Sequence, residues 1–491
     1  MNGGVQAVDN VALLPAYLAA GTAVLVLLAD LVVARRGVTL AVAAAGAVAT
    51  VVGAVLVGRG GPRGTFCAAA GCSYHWTGRA ALVAALFGLL TLGVLALSAP
   101  LLRTGDVPPG EYCFLLACSM TGGVVLGAAN DLITLVVALE TLTLPLYVLV
   151  GLRRRSRSGA EAAVTFFVVS VVATSLTLLG AALLYAVTGA VHLDALGTAL
   201  AGESALAHTP LATAAVALVL LGLAFKVAAV PFHAWAPATY DGAPLPVAAY
   251  LSTASKLGGV VALLAVVSAA LPAEVTGPVL ALLAVLTMTV GNLVALRQER
   301  MVRLLAWSSV AQAGYVIAPL GALAVAGGRT PEAVAAALAA TVAYTVFYVV
   351  LELAAFGAVV VLRPAGADGG AIDRYRGLGR RHRFTGAALV LALVGLAGLP
   401  PGLAGLFAKV TVVRALLEGA STWLAVVVAL NAVVGLAYYV RVAALLYAPS
   451  PTEPAAGIRP AWPAVAALGA VSVVALVVGF APQLVLDVAA R

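Results

Sequence analysis

Three lysines are the residues of this sequence whose type and position could do chemistry. Lys226, Lys256 and Lys409 are the only lysines among 27 basic residues, and each lies inside a long apolar run. A lysine at the centre of a membrane helix costs about 2.5–3.5 kcal/mol on insertion scales, so it is a functional candidate by default. A buried lysine gives up its proton readily, whereas arginine effectively never does. The three lysines therefore predict a protein that moves protons.

Glu140 is the carboxylate that the sequence offers to these lysines. It ends the stretch NDLITLVVALE inside a predicted membrane helix, where an unpaired carboxylate would be costly. Lys226 is its expected partner, because the protonation state of a buried lysine then depends on whether the pair is closed or open. The structural alternative is a static ion pair that only fixes helix packing. That alternative does not explain Lys256 and Lys409, which lack evident acidic neighbours in sequence.

Three further residues are secondary candidates for the path. His233 follows a proline break, where it could relay a proton between Lys226 and Lys256 or simply cap and pack the break. Tyr315 belongs to a polar helix face that could order water or join helices. Glu352 lies mid-span as a second candidate carboxylate. The polar neighbours of these candidates and of Lys256 are Ser252, Thr253, Ser255, Ser308, Ser309, Gln312, Tyr344 and Tyr348.

Composition determines the class of protein. Of 491 residues, 63% are hydrophobic and 9% are charged, and the apolar runs repeatedly exceed the roughly 20 residues that cross a bilayer. The net charge of +8 does not indicate nucleic-acid binding, because the arginines cluster at the ends of apolar runs. The four cysteines lack metal-ligand spacing, and no dinucleotide fingerprint or haem-spaced histidine pair occurs. We predict an all-α polytopic protein of the lipid bilayer, with no metal or cofactor of its own and no nucleic-acid partner.

The apolar runs predict fourteen membrane helices. An even number of helices places both termini on one side of the membrane. If that side is outside the cytoplasm, most loop arginines face the cytoplasm, as the positive-inside rule requires. The first span is expected to stay, since residues 1–19 lack the basic region of a cleaved signal peptide. The predicted helices are 11–34, 38–57, 80–100, 111–129, 131–151, 161–187, 211–229, 244–271, 273–296, 302–324, 331–362, 383–410, 421–447 and 460–484.

Two of the apolar runs carry prolines at membrane depth. Pro231 follows Lys226, and Pro400 and Pro401 precede Lys409. Lipid tolerates such breaks only where protein or water covers the freed backbone groups, so both breaks are expected to face inward, although prolines are also common in membrane helices. The breaks lie about five helices apart, as in two inverted five-helix repeats. We expect helices 1–3 over residues 1–110, the two repeats over 111–271 and 272–447, and a last helix over 448–491.

Four segments, in this order and spacing, resemble one known family. They are NDLITLVVALETLTLPLYVLVG, FKVAAVPFHAWAPATYDGAPLPVAAYLSTASK, GNLVALRQERMVRLLAWSSVAQAGY and GLAGLPPGLAGLFAK. Residues 110–447, which contain them, are similar to subunit N of bacterial NADH-quinone oxidoreductase, respiratory complex I. Carried over residue by residue, the glutamate of the fifth helix is Glu140, and the lysines of the seventh, eighth and twelfth helices are Lys226, Lys256 and Lys409.

The resemblance implies a fold, a function and a set of partners. The family is antiporter-like: it has fourteen helices, two inverted repeats, broken seventh and twelfth helices, and a chain of buried charges and water that moves protons. It lies in the bacterial cell membrane and contacts other membrane-arm subunits, including related antiporter-like ones. NADH, FMN, iron–sulfur clusters and quinone bind in partner subunits. The implied enzyme is therefore the whole H⁺-translocating oxidoreductase, and this chain has no redox activity alone.

Two positions depart from the family pattern. In EAAVTFF, Thr165 occupies the place of a family lysine, and a neutral hydroxyl cannot store a proton. In ELAAF, Glu352 occupies the place of a usually neutral polar residue. We expect a redistributed charge network in which Glu352 partly compensates for Thr165. Two alternatives remain: a related cation/proton antiporter or hydrogenase membrane subunit, and a structural arm subunit with an impaired channel.

The four cysteines form two pairs with equal spacing. Cys67 and Cys72 lie in a loop expected outside the cytoplasm, where they form either a disulfide, which needs Cα atoms within about 4.4–6.8 Å, or two free thiols. Cys113 and Cys118 lie in an apolar helix and point about 140° apart, so they are expected to stay reduced.

Overall fold

The computed structural model describes residues 8–68, 71–202, 206, 209–449 and 461–490. In these residues, twelve helices are long and apolar enough to cross a membrane. Two shorter apolar helices are present as well: Pro210–Lys226 covers most of the predicted seventh span, and Arg383–Ala397 is the first part of the predicted twelfth span. The prediction of a helical multi-pass membrane fold is confirmed.

The first half of the chain contains nine helices in its described residues. Side-chain caps begin several of them: Asp131 accepts the Thr134 amide over 2.7 Å at the start of the fifth helix. Gly189, with a φ of 67°, ends the sixth. The helices are α1 Asn10–Val33, α2 Arg36–Arg59, α3 Gly78–Leu102, α4 Pro109–Leu126, α5 Leu132–Gly151, α6 Arg157–Thr188, α7 Leu193–Ala201, α8 Pro210–Lys226 and α9 Trp235–Gly242.

The second half contains the most buried spans, α13 and α14, which run through the middle of the bundle. A π-helical turn, Leu251–Ser255, joins two helices into one span, and 3-10 turns at Ala318–Ala324, Ala326–Arg329 and Ile372–Tyr375 extend or connect others. The helices are α10 Leu245–Tyr250, α11 Lys256–Ala269, α12 Ala273–Ala295, α13 Met301–Ile317, α14 Pro331–Leu362, α15 Leu378–Arg381, α16 Arg383–Ala397, α17 Leu403–Glu418, α18 Thr422–Tyr447, α19 Trp462–Phe480 and α20 Gln483–Ala489.

A two-stranded hairpin that the sequence analysis missed connects α2 to α3. Its antiparallel strands are β1 Arg63–Ala68 and β2 Gly71–Trp76. Cys67 and Cys72 are register partners and form a disulfide, with Cα atoms 3.8 Å apart, closer than the expected range. The hairpin depends on a distant segment, because the His75 amide donates to the Ala128 carbonyl over 2.8 Å. Two short strands held by such a contact leave little signal in local sequence.

Both predicted breaks are present, but only part of each faces inward as predicted. The chain is non-helical between α8 and α9 and between α16 and α17, and Val230–Pro231 and Pro400–Pro401 are cis. The interior covers the freed polar groups: the Val230 amide donates to Thr287 over 2.9 Å. Pro231, Pro400 and Pro401 are themselves exposed on the surface of the chain. Proline has no N–H to satisfy, so its exposure leaves no orphan donor.

Candidate functional site

An ion pair joins Glu140 of α5 to Lys226, the last residue of α8. Lys226 Nζ lies 2.7 Å from Glu140 Oε1, so the structure forms the pair that the sequence predicts. The lysine side chain is 5% exposed, whereas the glutamate side chain is 21% exposed. The carboxylate therefore reaches the surface of the chain, and the ammonium lies in the interior behind it.

Hydroxyl groups surround this ion pair. Thr174 of α6 donates to Glu140 Oε1 over 2.7 Å. Lys226 Nζ also lies 3.2 Å from Thr143 Oγ1 and 3.5 Å from Ser170 Oγ, and Ser170 in turn accepts a hydrogen bond from a tyrosine, Tyr147. A buried ammonium has three donors to satisfy, and the carboxylate and two hydroxyls provide acceptors for them. The site can therefore hold a charged lysine.

Lys256 lies deeper in the bundle, directly after the π-helical turn of residues 251–255. Its Nζ donates to the backbone carbonyl of Ser309 in α13. The Ser309 hydroxyl is 2.7 Å from Tyr348 Oη, and Tyr348 donates to the Ser252 carbonyl over 2.7 Å. Lys256 is thus hydrogen-bonded to α13, and Ser309 in turn links α13 to α14. Single-turn π-helical segments occur frequently at functional sites.

The hydroxyls beside Lys256 are partly used by their own helix. Ser252 and Thr253 both donate to the Ala249 carbonyl, over 3.0 and 2.7 Å. Their oxygens keep acceptor capacity, so they can still accept hydrogen bonds from water.

Lys409 is held by a helix end and not by a carboxylate. Its Nζ donates to the Leu396 carbonyl over 2.9 Å and to the Ala397 carbonyl over 2.5 Å, and it lies 5.1 Å from the centre of the Tyr315 ring. The last carbonyls of a helix have no partner within it and carry the negative end of the helix dipole. The break after α16 therefore creates a binding site for an ammonium group.

Gln312 connects the polar face of α13 to three other helices. Its Nε2 donates to the Leu396 carbonyl and to Tyr439 Oη, each over 3.0 Å, and its Oε1 accepts from Tyr344 over 2.6 Å. Tyr439 Oη lies 2.5 Å from Ser308 Oγ. Since the Leu396 carbonyl is also bound by the lysine of the twelfth span, this network reaches that lysine from α13.

The secondary candidates have different environments. The His233 ring packs against Trp307 with centroids 5.1 Å apart, and its Nδ1 has no hydrogen-bond partner among the described residues. Thr165 is exposed, and its hydroxyl donates to the Glu161 carbonyl of its own helix. Glu352 is completely buried. In the described part of the chain, neither the Nδ1 of His233 nor the Thr165 hydroxyl is hydrogen-bonded to the ion pair, and a relay through His233 stays a prediction.

Several polar residues of the site were not singled out in the sequence. Their common signal is a hydroxyl or amide in the middle of an apolar run, which is too frequent in membrane helices to identify a site. The helix rotation that directs Thr174 to the carboxylate is a tertiary property. The missed residues are Thr143, Tyr147, Ser170 and Thr174 around the ion pair, and Asn292, which donates to Tyr315 over 3.0 Å and accepts from Tyr438 over 3.0 Å.

A charged cluster of loop residues was also missed. Arg300 donates to both carboxylate oxygens of Asp241 and to Asp368 over 3.0 Å. Partial burial opposes ionisation of Asp368, but the hydrogen bond from Arg300 and the positive charges of Arg300, Arg363 and Arg374 outweigh it and lower its pKa. Within the described residues, no group of three or more potential ligands could hold a metal ion.

Comparison with known proteins gives a consistent result. Residues 129–435 match the family described as NADH:quinone oxidoreductase/Mrp antiporter, TM. The chain is 71% identical to NADH-quinone oxidoreductase subunit N of Salinispora tropica, over 99% of both chains.

Two solved structures share the fold. A chain of respiratory complex I from Thermus thermophilus superposes with a TM-score of 0.81 at 30% identity, over 97% of this chain and 99% of that one. A chain of the Mrp complex from Dietzia superposes with a TM-score of 0.83 over 97% of this chain and 96% of that one, but at 22% identity. The second likeness concerns the fold alone.

Proposed function

Because the chain belongs to the subunit N family of NADH-quinone oxidoreductase, we propose that it carries protons through Glu140, Lys226, Lys256 and Lys409. As a family member it is an antiporter-like, multi-pass membrane subunit of complex I, the proton-translocating NADH:quinone oxidoreductase. Its cofactors belong to other subunits, and other membrane-arm subunits are its partners. The observation that carries the proposal is the 2.7 Å ion pair between Glu140 and Lys226.

The ion pair can act as a proton switch. With Glu140 in contact, the ammonium of Lys226 has a counter-charge 2.7 Å away and keeps its proton. When the carboxylate moves away or is neutralised, the ammonium remains in the interior with hydroxyls alone, where an uncompensated charge is costly. The lysine then releases its proton to an acceptor further along the bundle. A static structural pair would not need the other two buried lysines.

The onward route runs along α13. Ser309 is hydrogen-bonded to Lys256, and the adjacent Ser308 belongs to the network of Gln312 and Tyr439. That network ends at the Leu396 carbonyl, which also accepts from the lysine of the twelfth span. Two hydrogen-bonded groups that start at different lysines thus meet at neighbouring residues of one helix. Together with water they provide a path for protons between these lysines.

The position of Thr165 favours an active channel over a purely structural arm. Its side chain is exposed, so the absence of a lysine there leaves the Glu140–Lys226 pair intact. The lysine that the family resemblance implies at this position is therefore not needed to form the pair in this chain.

We propose that the chain lies in the bacterial plasma membrane with both termini outside the cytoplasm. Arg63 of the hairpin lies 3.2 Å from Asp9, so the hairpin and the N-terminal end of α1 share a side. A disulfide between Cys67 and Cys72 suits an oxidising compartment on that side. The arginine-rich loops then face the cytoplasm, as the positive-inside rule requires.

The proposal is tested with the complete complex reconstituted into lipid vesicles. Lys226→Ala should lower the number of protons moved per NADH oxidised, because the ion pair loses its proton carrier. NADH oxidation in the presence of an uncoupler measures assembly and electron transfer separately. Lys226→Arg should be defective as well, since arginine keeps its proton. An unchanged proton ratio in both variants would remove Lys226 from the path.

A further inference from the structure

Glu352 of α14 is a buried carboxylate outside the set of residues used above. It is 0% exposed, and neither carboxylate oxygen has a hydrogen-bond partner in the described part of the chain. A buried polar group normally contributes to structure through its hydrogen bonds. Because Glu352 makes none there, packing gives no reason for a carboxylic acid at this position.

Lys256 is the cation that faces this acid. Lys256 Nζ donates to the Ser309 carbonyl, and the Ser309 hydroxyl is 2.7 Å from Tyr348 Oη. Tyr348 lies one turn before Glu352 on α14, which places the lysine and the acid on the same side of the α11–α14 interface, where opposite charges on them attract. A charge on Glu352 would also be felt by the hydroxyls of Tyr240, Tyr348 and Tyr439. These tyrosines lie on α9, α14 and α18, so with Lys256 on α11 the titratable groups around the carboxylate come from its own helix and three others.

We propose that Glu352 and Lys256 form a second proton-holding pair, in the interior of the bundle. In one state the proton is on Glu352, and both groups are neutral. Transfer breaks the carboxyl O–H bond and forms an N–H bond on Lys256, which leaves a carboxylate beside an ammonium. The two states contain the same atoms and electrons. The ammonium then releases its proton to the next acceptor, which leaves a neutral amine, and the next proton arriving at the carboxylate restores the neutral pair. This inference rests on the proposed proton-carrying function and adds an acid to it.

A matched set of variants tests the pair in the reconstituted complex. Glu352→Gln should lower the protons moved per NADH by about the same fraction as Lys226→Ala, with unchanged uncoupled NADH oxidation. The control is Glu332→Gln, an exposed glutamate in the first turn of the same helix, which should leave the ratio unchanged. In the double variant Glu352→Gln/Lys256→Ala, the loss of protons moved per NADH should not exceed that of the more impaired single variant. Either substitution already disables the pair, so the second one has nothing further to remove.

An infrared difference spectrum measures the protonation of the carboxyl group itself, which a purely structural role of Glu352 would not change. The wild-type complex should show a protonated-carboxyl band that Glu352→Gln removes and Glu332→Gln leaves in place. A wild-type ratio in Glu352→Gln together with a lowered ratio in Lys226→Ala overturns the pair and leaves the proposed function standing. If Glu352→Gln and Lys226→Ala both keep the wild-type ratio, both the pair and the proposed function are overturned. If the complex with Glu352→Gln does not assemble, Glu352→Asp is measured instead. If Glu352 carries the proton, the protonated-carboxyl band of Glu352→Asp is shifted from that of the wild type, and an unshifted band overturns the proposal.

Discussion

The two helix breaks of this protein hold their nearby lysines in different ways. In the first, the Trp235 indole donates to the Phe225 carbonyl over 3.2 Å at the end of α8, and Lys226 binds a carboxylate. In the second, no indole among the described residues binds the end of α16, and Lys409 itself binds the last two carbonyls. A helix end can thus replace a carboxylate as the partner of a buried ammonium. The same kind of break therefore creates a charge pair in one half and a charge–dipole site in the other.

The largest effect should follow from breaking the charge pair. Glu140→Ala leaves the Lys226 ammonium buried without a counter-charge, and removing one partner of a buried pair costs about 3–5 kcal/mol. The value should fall at the lower end, because the glutamate is 21% exposed. Thermal dissociation of the solubilised complex measures the loss. Glu140→Ala/Lys226→Met should recover part of it, and a double variant as unstable as the single one would contradict the comparison.

Loss of Lys409, the lysine at the second break, should have a smaller effect on stability. Lys409→Met removes a donor from the Leu396 and Ala397 carbonyls but leaves no charge behind, so about 1–3 kcal/mol is expected. The same thermal measurement checks the order of the two variants. If Lys409→Met destabilises the complex more than Glu140→Ala, the distinction between a carboxylate partner and a helix-end partner is wrong.

The left-handed residues at the two breaks should respond in opposite directions. Gly398 has a φ of 84°, and a Cβ there would lie 2.7 Å from Lys409 Cδ, so Gly398→Ala should destabilise the complex by about 1–2 kcal/mol. Ala228 already adopts a φ of 59°, so Ala228→Gly relieves strain and should be neutral or slightly stabilising. Equal effects of the two substitutions on thermal dissociation would show that the breaks respond alike.

The smallest effect concerns the loop cluster that links the two halves. Asp368 has a lowered pKa, so its ion pairs stabilise the fold above its ordinary value of 3.8 and this contribution is lost as pH falls below it. Because its side chain is 49% exposed, Asp368→Asn should cost only about 0.2–1 kcal/mol. The stability difference from wild type should stay constant between pH 7 and about pH 5. A difference that already shrinks in that range would exclude Asp368 as its source.

The surface of the bundle shows the limits of a pattern-based analysis. The expected inward-facing breaks have exposed prolines, and the family position occupied by Thr165 faces outward. The rotation of each helix about its axis determines which of these residues are exposed. An apolar sequence with a weak amphipathic pattern does not specify that rotation. The hairpin of residues 63–76 was missed for a related reason, since its pairing depends on the distant segment around Ala128.

The sequence by itself determined the membrane class, the spans, the two breaks and the charged residues of the interior. These follow from local properties, because the length of an apolar run and the cost of a charge in lipid need no tertiary contact. Only the tertiary structure decided which group each lysine binds: Glu140 for Lys226, the Ser309 carbonyl for Lys256 and the end of α16 for Lys409. Partners up to 86 residues apart in sequence come into contact only when their helices pack with one particular rotation and offset. A local sequence pattern does not specify that packing.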